Sequence, residues 1–229
     1  MGEWWTGVVY TFTRCFIKDD RYMLLLSGIG VTIKVSLLAA LLGVIIGFLI
    51  ALCNLSNKKP LNLIGKIYTD IIRGTPSVTQ LMIIYFVVFA TVNCPKWIIA
   101  AIAFGINSGA YVSEIIRAGI LSIDKGQTEA GRSLGLNAKQ TMVEIVVPQA
   151  VKNIFPALCN EFITLIKETA IVGYVGLMDI QKAGDFIKSA TYEAFMPLIG
   201  TAIIYYVLIK LLNLVLKGIE NKMRESDVR

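Results

Sequence analysis

The chain has 229 residues, of which 55% are hydrophobic and 17% charged, and its net charge is +6. Soluble domains carry roughly a quarter charged residues, and the mean hydropathy here is +0.68, so the composition excludes an ordinary soluble globular protein. The four cysteines form no C-x-x-C pair and the chain has no histidine. These two facts argue against a zinc site of the usual Cys/His type, and no metal site is expected.

Five apolar runs reach or approach the ~20 residues that a membrane-spanning helix needs. Backbone polar groups in lipid must be satisfied within the segment, so each run is expected to be helical. The predicted fold is an all-α membrane protein with five transmembrane helices, at 29–53, 76–92, 98–123, 154–177 and 195–216. This divides the chain into an external N-terminal segment (1–28), a transmembrane domain (29–217) and a cytoplasmic tail (218–229).

Lysine and arginine divide unequally between the two sides of such a bundle. The loops after the first and third spans, together with the C-terminal tail, hold twelve of them, against six on the opposite side. Basic residues stay in the cytoplasm, so the N-terminus is predicted outside and the C-terminus inside. The positive net charge therefore reflects topology, and nucleic-acid binding is not expected.

The stretch "TEAGRSLGLNAKQTMVEIVVP" (128–148) is polar although spans flank it on both sides. Asp124 and Asn137 are each followed three residues later by glutamine, which is the pattern of a capping box at the start of a helix. Gly135 suits the left-handed position after a helix, and Pro148 is expected to close the second helix. The loop 124–150 is therefore predicted to form two short amphipathic helices around a glycine turn at the cytoplasmic surface.

Two other interpretations of this loop were weighed. A DNA-binding helix-turn-helix also has a glycine in its turn, but membrane spans abut both ends and leave no room to dock on a duplex. A loop that merely packs against the membrane is compatible with the periodicity, which by itself leaves that alternative open.

Residues 129–148 read E-A-G-x3-G-x9-I-x-V-P. This resembles the cytoplasmic signature of bacterial importer permeases of the ATP-binding-cassette class, E-A-A-x3-G-x9-I-x-L-P. In that family the element is the coupling helix, which docks on the ATPase subunit and transmits its closure. The resemblance implies coupling roles for the residues in register, which are Glu129, Ala130, Gly131 (in place of the second alanine), Gly135, Ile145 and Pro148.

Further stretches resemble the polar amino-acid subfamily of these permeases. They are "RGTPSVTQLMIIYF" (73–86), "GAYVSEIIRAGILSIDKGQTEA" (109–130), "VVPQA" (146–150) and "NEFITLIKETAIV" (160–172), and with the loop they cover most of 28–177. "SVT" at 77–79 departs from the more apolar residues usual there. The resemblance implies a translocation subunit of an amino-acid importer in the bacterial inner membrane.

The same resemblance implies the partners. They are separate ATPase subunits, a second permease chain in a homo- or heterodimer, and an extracytoplasmic amino-acid-binding protein. The sequence contains no G-x-x-x-x-G-K-[ST] phosphate-binding loop. ATP and magnesium are therefore expected on the partner chain, with no cofactor and no enzymatic activity on this one.

The fourth span carries the clearest substrate candidates. Glu161 and Glu168 are seven residues apart and share a helical face, Thr164 lies on the same stripe, and Asn160 lies on the neighbouring one. Ionisable residues inside a span are costly and by default functional. Carboxylates suit the ammonium group of an amino acid, which favours a cationic one. The resemblance likewise implies substrate contacts at this level of the fourth helix.

The third span adds polar residues at helical spacing. Asn107 and Tyr111 are expected to line the pathway, whereas Glu114 and Arg117, three residues apart, are predicted to form a structural ion pair. Before Pro76, residues 66–73 are expected to form a separate helix or half-helix, with Arg73 bonding carbonyl groups at the corner.

Two functions of other classes were considered. A membrane-embedded enzyme with Glu161 and Glu168 as acid and base would ordinarily add histidines or an Asp-rich metal motif, and neither appears. A secondary transporter of amino acids or cations would use the same two carboxylates as ion sites, but such proteins usually have more spans with internal repeats.

The sequence leaves two alternatives for Cys15 and Cys94, which are a disulfide between them or unpaired cysteines that serve in packing.

Overall fold

The computed structural model describes residues 2–225, and every regular element in that range is helical. Short π-helical turns at Thr13–Ile17, Ile84–Val88 and Met142–Val146, and 3-10 turns at Lys18–Asp20 and Thr169–Val175, join or extend the α-helices. The α-helices are α1 (Gly2–Phe12), α2 (Tyr22–Leu55), α3 (Lys59–Arg73), α4 (Ser77–Ile83), α5 (Lys96–Leu121), α6 (Lys125–Ser133), α7 (Ala138–Thr141), α8 (Val147–Glu168), α9 (Ile180–Thr191) and α10 (Phe195–Glu225).

Within the described residues, four helical segments are long and apolar enough to cross a membrane, and the bent pair formed by α3 and by α4 with its π-helical turn brings the number to five if it is counted as one span. The all-α membrane fold is thereby confirmed. The helices extend beyond the apolar runs: α2 begins at Tyr22, within the segment predicted to be external, and α10 continues to Glu225. Residues 226–229 of the predicted tail lie outside the described residues. Apolar content identifies only the part of a helix that can lie in lipid, and helical hydrogen bonding continues past it.

Small residues bring α2 and α5 together as a parallel pair. A Cβ on Gly47 would lie 2.6 Å from Val112, and one on Gly43 would lie 3.0 Å from the hydroxyl of Ser108. A Cβ on Gly105 would likewise lie 2.7 Å from Leu42. Membrane helices associate through such close packing because lipid offers little hydrophobic driving force between them. The pair holds Ser108 at a fixed position in the middle of the bundle.

A buried apolar cluster joins α4 and α8 to this pair. Its largest members are at most 2% exposed and come from α2, α4, α5, α8 and the turn after α8, namely Val35, Leu81, Phe104, Leu165 and Val172. The cluster ties α8, which carries the predicted substrate residues, to the small-residue pair.

The break between α3 and α4 bends the chain by 103°. Pro76 follows the break, and a proline pushes the residue before it out of the helical region. The Gln80 side chain donates hydrogen bonds to the Ile72 carbonyl (2.7 Å) and to the Thr75 hydroxyl (2.7 Å), which fastens the corner from inside. A separate helix before the corner was predicted at 66–73, and it begins earlier, at Lys59.

The polar stretch folds as predicted around its glycine turn. Gly135 has φ +88°, its N–H donates to the Arg132 carbonyl, and the Leu136 N–H donates to the Gly131 carbonyl, as in a Schellman motif. At Asn137 the capping box is complete. At Asp124 the predicted box is replaced by a single cap in which the carboxylate accepts from the Gly126 N–H at 2.7 Å.

The prediction that Pro148 closes the second helix is wrong. Helical structure runs from Ala138 through the π-helical turn Met142–Val146 into α8, and Pro148 lies in the first turn of α8. Proline needs no backbone partner in a first turn, and there its fixed φ is compatible with a helix. The loop is therefore continuous with the fourth span.

At the opposite end of the bundle, α9 packs between α2 and α10. Asp179 caps α9 by accepting from the Lys182 N–H (2.9 Å) and the Gln181 N–H (3.2 Å), and it also accepts from the Tyr205 hydroxyl (3.1 Å). Burial raises the pKa of the Asp179 carboxyl above its usual value, although these hydrogen bonds oppose the shift.

Cys15 is buried against α9 as a free thiol and Cys94 is also free, so they form no disulfide.

Candidate functional site

The centre of the candidate pathway is a hydrogen bond between two spans. Ser108 on α5 donates its hydroxyl to the Glu161 carboxylate on α8 at 2.8 Å. The contact is part-buried, and Glu161 lies one helical turn before Leu165, a member of the apolar cluster. A carboxylate that a neighbouring helix orients in mid-span is a preformed acceptor for a cationic group. Sequence reasoning missed Ser108, because an isolated serine in a span is also a common packing residue.

The predicted residues near Glu161 on α8 divide into two groups. Glu168, at the C-terminal end of α8, is partly buried, as Glu161 is. Asn160, Thr164 and Lys167 are exposed and follow one another at helical spacing. An exposed polar stripe on a membrane helix requires a polar partner or water, since lipid cannot satisfy it.

The two polar residues predicted on α5 make their side-chain contacts with α3 and α4. Asn107 is 4% exposed and donates its amide to the Gln80 side chain at 2.9 Å, so its role here is to connect α5 to α4. Tyr111 is partly exposed, and the Arg73 guanidinium lies 5.5 Å from its ring centroid. Gln80 did not stand out in the sequence, because its partners are brought close only by the α3–α4 corner.

Glu114 joins two arginines. The Arg117 guanidinium donates to both carboxylate oxygens, at 3.1 and 2.9 Å, and the Arg73 guanidinium lies 3.7 Å from one of them. Arg73 was expected to bond carbonyl groups at the corner, and that expectation is wrong. The curvature of the corner brings its charged end to α5 instead, where a carboxylate is the stronger partner.

The loop that resembles a coupling helix presents an exposed surface on a tightly packed base. Glu129, Ala130 and Gly135 are exposed, and the Leu134 side chain between them is 82% exposed. Gly131 is buried, because a Cβ there would lie 2.7 Å from Ile145 and 2.9 Å from Thr141. Leu134 is therefore an apolar knob on a polar surface.

Contacts between α5 and α8 anchor the base of this loop. Gly119 lies directly against Ile154, and the Asn153 amide donates to the Ser122 hydroxyl at 3.0 Å. The Gln149 side chain donates to the Ile145 carbonyl at 2.9 Å, across the π-helical turn. Among the described residues, no three His, Cys, Asp or Glu side chains are grouped as metal ligands.

Comparison with known proteins agrees with this architecture. Residues 43–225 match the family described as binding-protein-dependent transport system inner membrane component. The chain is 42% identical to the putative glutamine transport system permease protein GlnP of Rickettsia bellii, over 90% of this chain and 95% of that protein. It is 43% identical to the arginine transport system permease protein ArtQ of Bacillus subtilis, over 89% and 94% respectively.

A solved structure, described as an amino acid ABC transporter with histidines, superposes on this chain with a TM-score of 0.83. The two chains are 42% identical, and the match covers 90% of this chain and 98% of the other. Together with these relatives, the apolar helical bundle and its polar mid-span site identify the chain as a membrane permease. The chain belongs to the family of binding-protein-dependent transport system inner membrane components, which confirms the resemblance to ATP-binding-cassette permeases.

Proposed function

We propose that this chain forms the membrane pathway of an ATP-driven importer for polar amino acids, with cationic amino acids as the first candidates. The observation that carries the proposal is the Glu161 carboxylate held in mid-span by Ser108. Every free amino acid has an ammonium group that can donate hydrogen bonds to such a carboxylate. The relatives named for glutamine, for arginine and for histidines are consistent with this substrate class.

The substrate contacts are proposed to centre on Glu161 and Glu168. Thr164 and Asn160 would add neutral hydrogen-bonding groups from the same helix, and Tyr111 would contribute from α5. Asn107, which is bonded to Gln80, would act on the pathway by holding α4 against α5.

The proposed orientation places the N-terminus outside and the loop 124–150 in the cytoplasm. It rests on the excess of lysine and arginine at the loop end of the bundle. In this orientation Leu134 and the turn at Gly135 project towards the cytoplasm. We propose that the ATPase subunit, which binds ATP and magnesium, receives this knob in a groove, with Glu129, Ala130 and Pro148 beside the contact and Gly131 and Ile145 holding its shape.

A second permease chain is proposed to complete the pathway. Asn160, Thr164 and Lys167 form an exposed polar stripe on α8, and a partner copy or a sister permease would cover this stripe and enclose water along it. An extracytoplasmic binding protein is proposed to deliver the substrate at the end that carries α9. Domain limits of 29–217 for the pathway, with the tail following, fit this arrangement.

The proposal is tested by reconstituting the chain with its ATPase in liposomes and measuring ATP-dependent uptake of L-arginine and L-glutamine supplied with the binding protein. We expect uptake that requires the ATPase and falls at least about tenfold in Glu161→Gln with Glu168→Gln, since hydrogen bonds to charged groups contribute ~1.5–3 kcal/mol. Uptake that persists unchanged in that variant would show that Glu161 and Glu168 are not the substrate contacts. Uptake without the ATPase would contradict the importer itself.

The coupling contact is tested separately by co-purification of the chain with the ATPase. Gly135→Arg places a bulky charge at a left-handed turn position on the knob, and we expect it to abolish co-purification. Asp20→Arg introduces the same side chain at the other end of the bundle and serves as the control. Equal recovery of the ATPase with both variants would show that the loop does not contact the ATPase.

A further inference from the structure

A separate polar cavity of about 440 Å³ lies between α3, the end of α2 and α5. None of the proposed substrate contacts lines it. Its volume falls within the ~300–1,000 Å³ typical of small-molecule sites. Its walls are charged or polar. The lining residues that matter for ligand binding are Asn54, Lys66, Asp70, Arg73, Glu114 and Arg117.

Lys66 and Asp70 stand one helical turn apart on α3 and carry opposite charges. Within residues 2–225, no hydrogen bond or ion pair joins the Lys66 ammonium or the Asp70 carboxylate to another side chain. Both residues are exposed and both line the cavity. The wall thus offers one cationic and one anionic group that are available to a ligand.

Arg73 supplies a second cationic group. Its guanidinium lies 3.7 Å from Glu114, whose nearer partner is Arg117 at 2.9 Å. Because Arg117 already donates to both Glu114 oxygens, Arg73 is only loosely engaged, and its side chain is 45% exposed. Glu114 and Arg117 therefore neutralise each other, while Arg73 retains N–H donors for a carboxylate.

Asn54 adds a buried amide at the floor of the cavity. Neither its nitrogen nor its oxygen has a hydrogen-bond partner, although both atoms are buried. An unsatisfied buried polar group costs about 1–3 kcal/mol, so its retention calls for a reason. Gly65 on α3 leaves the space for it, since a Cβ at that position would collide with the Asn54 side chain.

The mixture of charges decides the class of ligand. A purely anionic group, such as a phosphate or a phospholipid headgroup, would leave Asp70 unpaired, and a simple cation would leave Lys66 and Arg73 unpaired. A molecule that carries a carboxylate and an ammonium group on the same carbon atom can pair with both kinds of side chain. We propose that this cavity binds the zwitterionic end of a free amino acid, with Lys66 and Arg73 at its carboxylate and Asp70 at its ammonium group.

The inference rests on the proposed function and orientation, in which the cavity lies on the cytoplasmic side, where the imported amino acid arrives. The site is distinct from the Glu161 pathway, and its occupancy would follow the amino-acid concentration inside the cell. Its position beside the α3–α4 corner connects it through Gln80 to Asn107 on α5.

The test measures equilibrium binding of radiolabelled L-arginine and L-glutamine to the purified complex with its ATPase, without the binding protein. The Glu161→Gln, Glu168→Gln background removes the proposed pathway site and leaves the cavity intact. We expect a saturable site in this background that weakens at least about tenfold with Lys66→Gln or Asp70→Asn, since a lost charge-assisted hydrogen bond is worth ~1.5–3 kcal/mol. Lys59→Gln, which removes a charge from the same helix outside the cavity, should bind as the background does.

Competition experiments with amino-acid fragments test whether the cavity requires both charged groups of the ligand. Valerate carries the carboxylate alone and n-butylamine the ammonium alone, and each should compete at least about tenfold less well than the amino acid, because each leaves one charged wall unpaired. Equal competition by valerate, or displacement by phosphatidylglycerol, would identify an anion site and overturn the inference. Absence of saturable binding in the background, with uptake by the wild type intact, would overturn it and leave the proposed function standing. If the wild-type complex itself showed no ATP-dependent uptake, the result would contradict the proposed function.

Discussion

Ile145 occupies the space in which a Cβ on Gly131 would stand, at 2.7 Å. The two helices of the loop meet at this point, with Thr141 2.9 Å away on the same side. The signature that this loop resembles has alanine at the position, and alanine is also the better helix former. The structure shows instead that the absence of a side chain is what permits the contact.

Gly131→Ala should therefore destabilise the loop although alanine is the better helix former. Overpacking of a tight contact costs about 1–3 kcal/mol, and we expect a lower Tm and weaker stimulation of ATPase activity by the binding protein. Thermal unfolding in detergent and ATPase assays of the complex measure the two effects. Gly30→Ala, where no atom lies within 4 Å of the added Cβ, is the matched control. A Tm raised equally in both variants would contradict the contact.

Ser108→Ala should reduce uptake by removing the donor that orients the Glu161 carboxylate. A hydrogen bond to a charged group contributes ~1.5–3 kcal/mol, so the rate is expected to fall about tenfold in reconstituted liposomes. Ser113→Ala is the control, because Ser113 is buried on the same helix and donates its hydroxyl to the backbone carbonyl of Ala110, at 2.8 Å. Equal rates for Ser108→Ala and the wild type would show that Glu161 needs no such support.

Glu114→Gln should destabilise the bundle by weakening one ion pair within α5 and one between α5 and α3. The variant weakens two ion pairs, with Arg117 and with Arg73, and the Glu114 side chain is 25% exposed, so solvent screens the pairs only in part. We expect a loss of about 1 kcal/mol, at the upper end for partly exposed pairs. Asp185→Asn breaks the more exposed pair with Lys188 and should lower Tm less. The opposite order of Tm values would be evidence against the network.

Asp179→Asn should make stability less dependent on pH. The folded-state pKa of Asp179 is raised, with burial as the main cause. The folded state therefore holds this proton more tightly than the unfolded chain, and the carboxyl loses stability as pH rises through its folded pKa. Asparagine keeps a cap for α9 without the charge, so the variant should have a higher Tm than wild type at neutral pH.

The gain in Asp179→Asn should shrink as pH falls towards the ordinary carboxyl range. Asp179→Ala removes the cap as well and should lower Tm at every pH, which separates capping from charge. A difference between Asp179→Asn and wild type that is constant with pH would show that the carboxyl does not titrate differently in the folded state.

Local patterns in the sequence predicted much of the fold. Apolar length identified the spans, Gly135 and Asn137 identified the turn and the second cap, and the three-residue spacing of Glu114 and Arg117 indicated their pairing. The span signal depends on one continuous run of sequence, and the turn, cap and ion-pair signals depend on residues within about one helical turn of each other. The contacts that the sequence did not reveal join distant segments: Ser108 with Glu161, Asn107 with Gln80, and Arg73 with Glu114.

Pro148 shows the limit of local signals most clearly. A proline after a polar stretch usually ends a helix, but the π-helical turn before it changes the register and lets the proline fall in the first turn of α8. Such an insertion of one residue per turn leaves no distinct pattern in a single sequence. Arg73 was misassigned for a related reason, because the 103° bend that carries it to α5 depends on packing around Gln80.

The continuity of the loop with the fourth span has a mechanical consequence. The helical segment Ala138–Val175 has 38 residues, about 57 Å at 1.5 Å per residue, and it passes the close contact of Ile154 with Gly119 on its way to Glu161. Pro156 lies inside α8, two residues beyond that contact, at a kind of residue where helices commonly bend. A segment that pivots at the contact has ends that swing in opposite directions, so a movement of the loop to one side would move Glu161 to the other side.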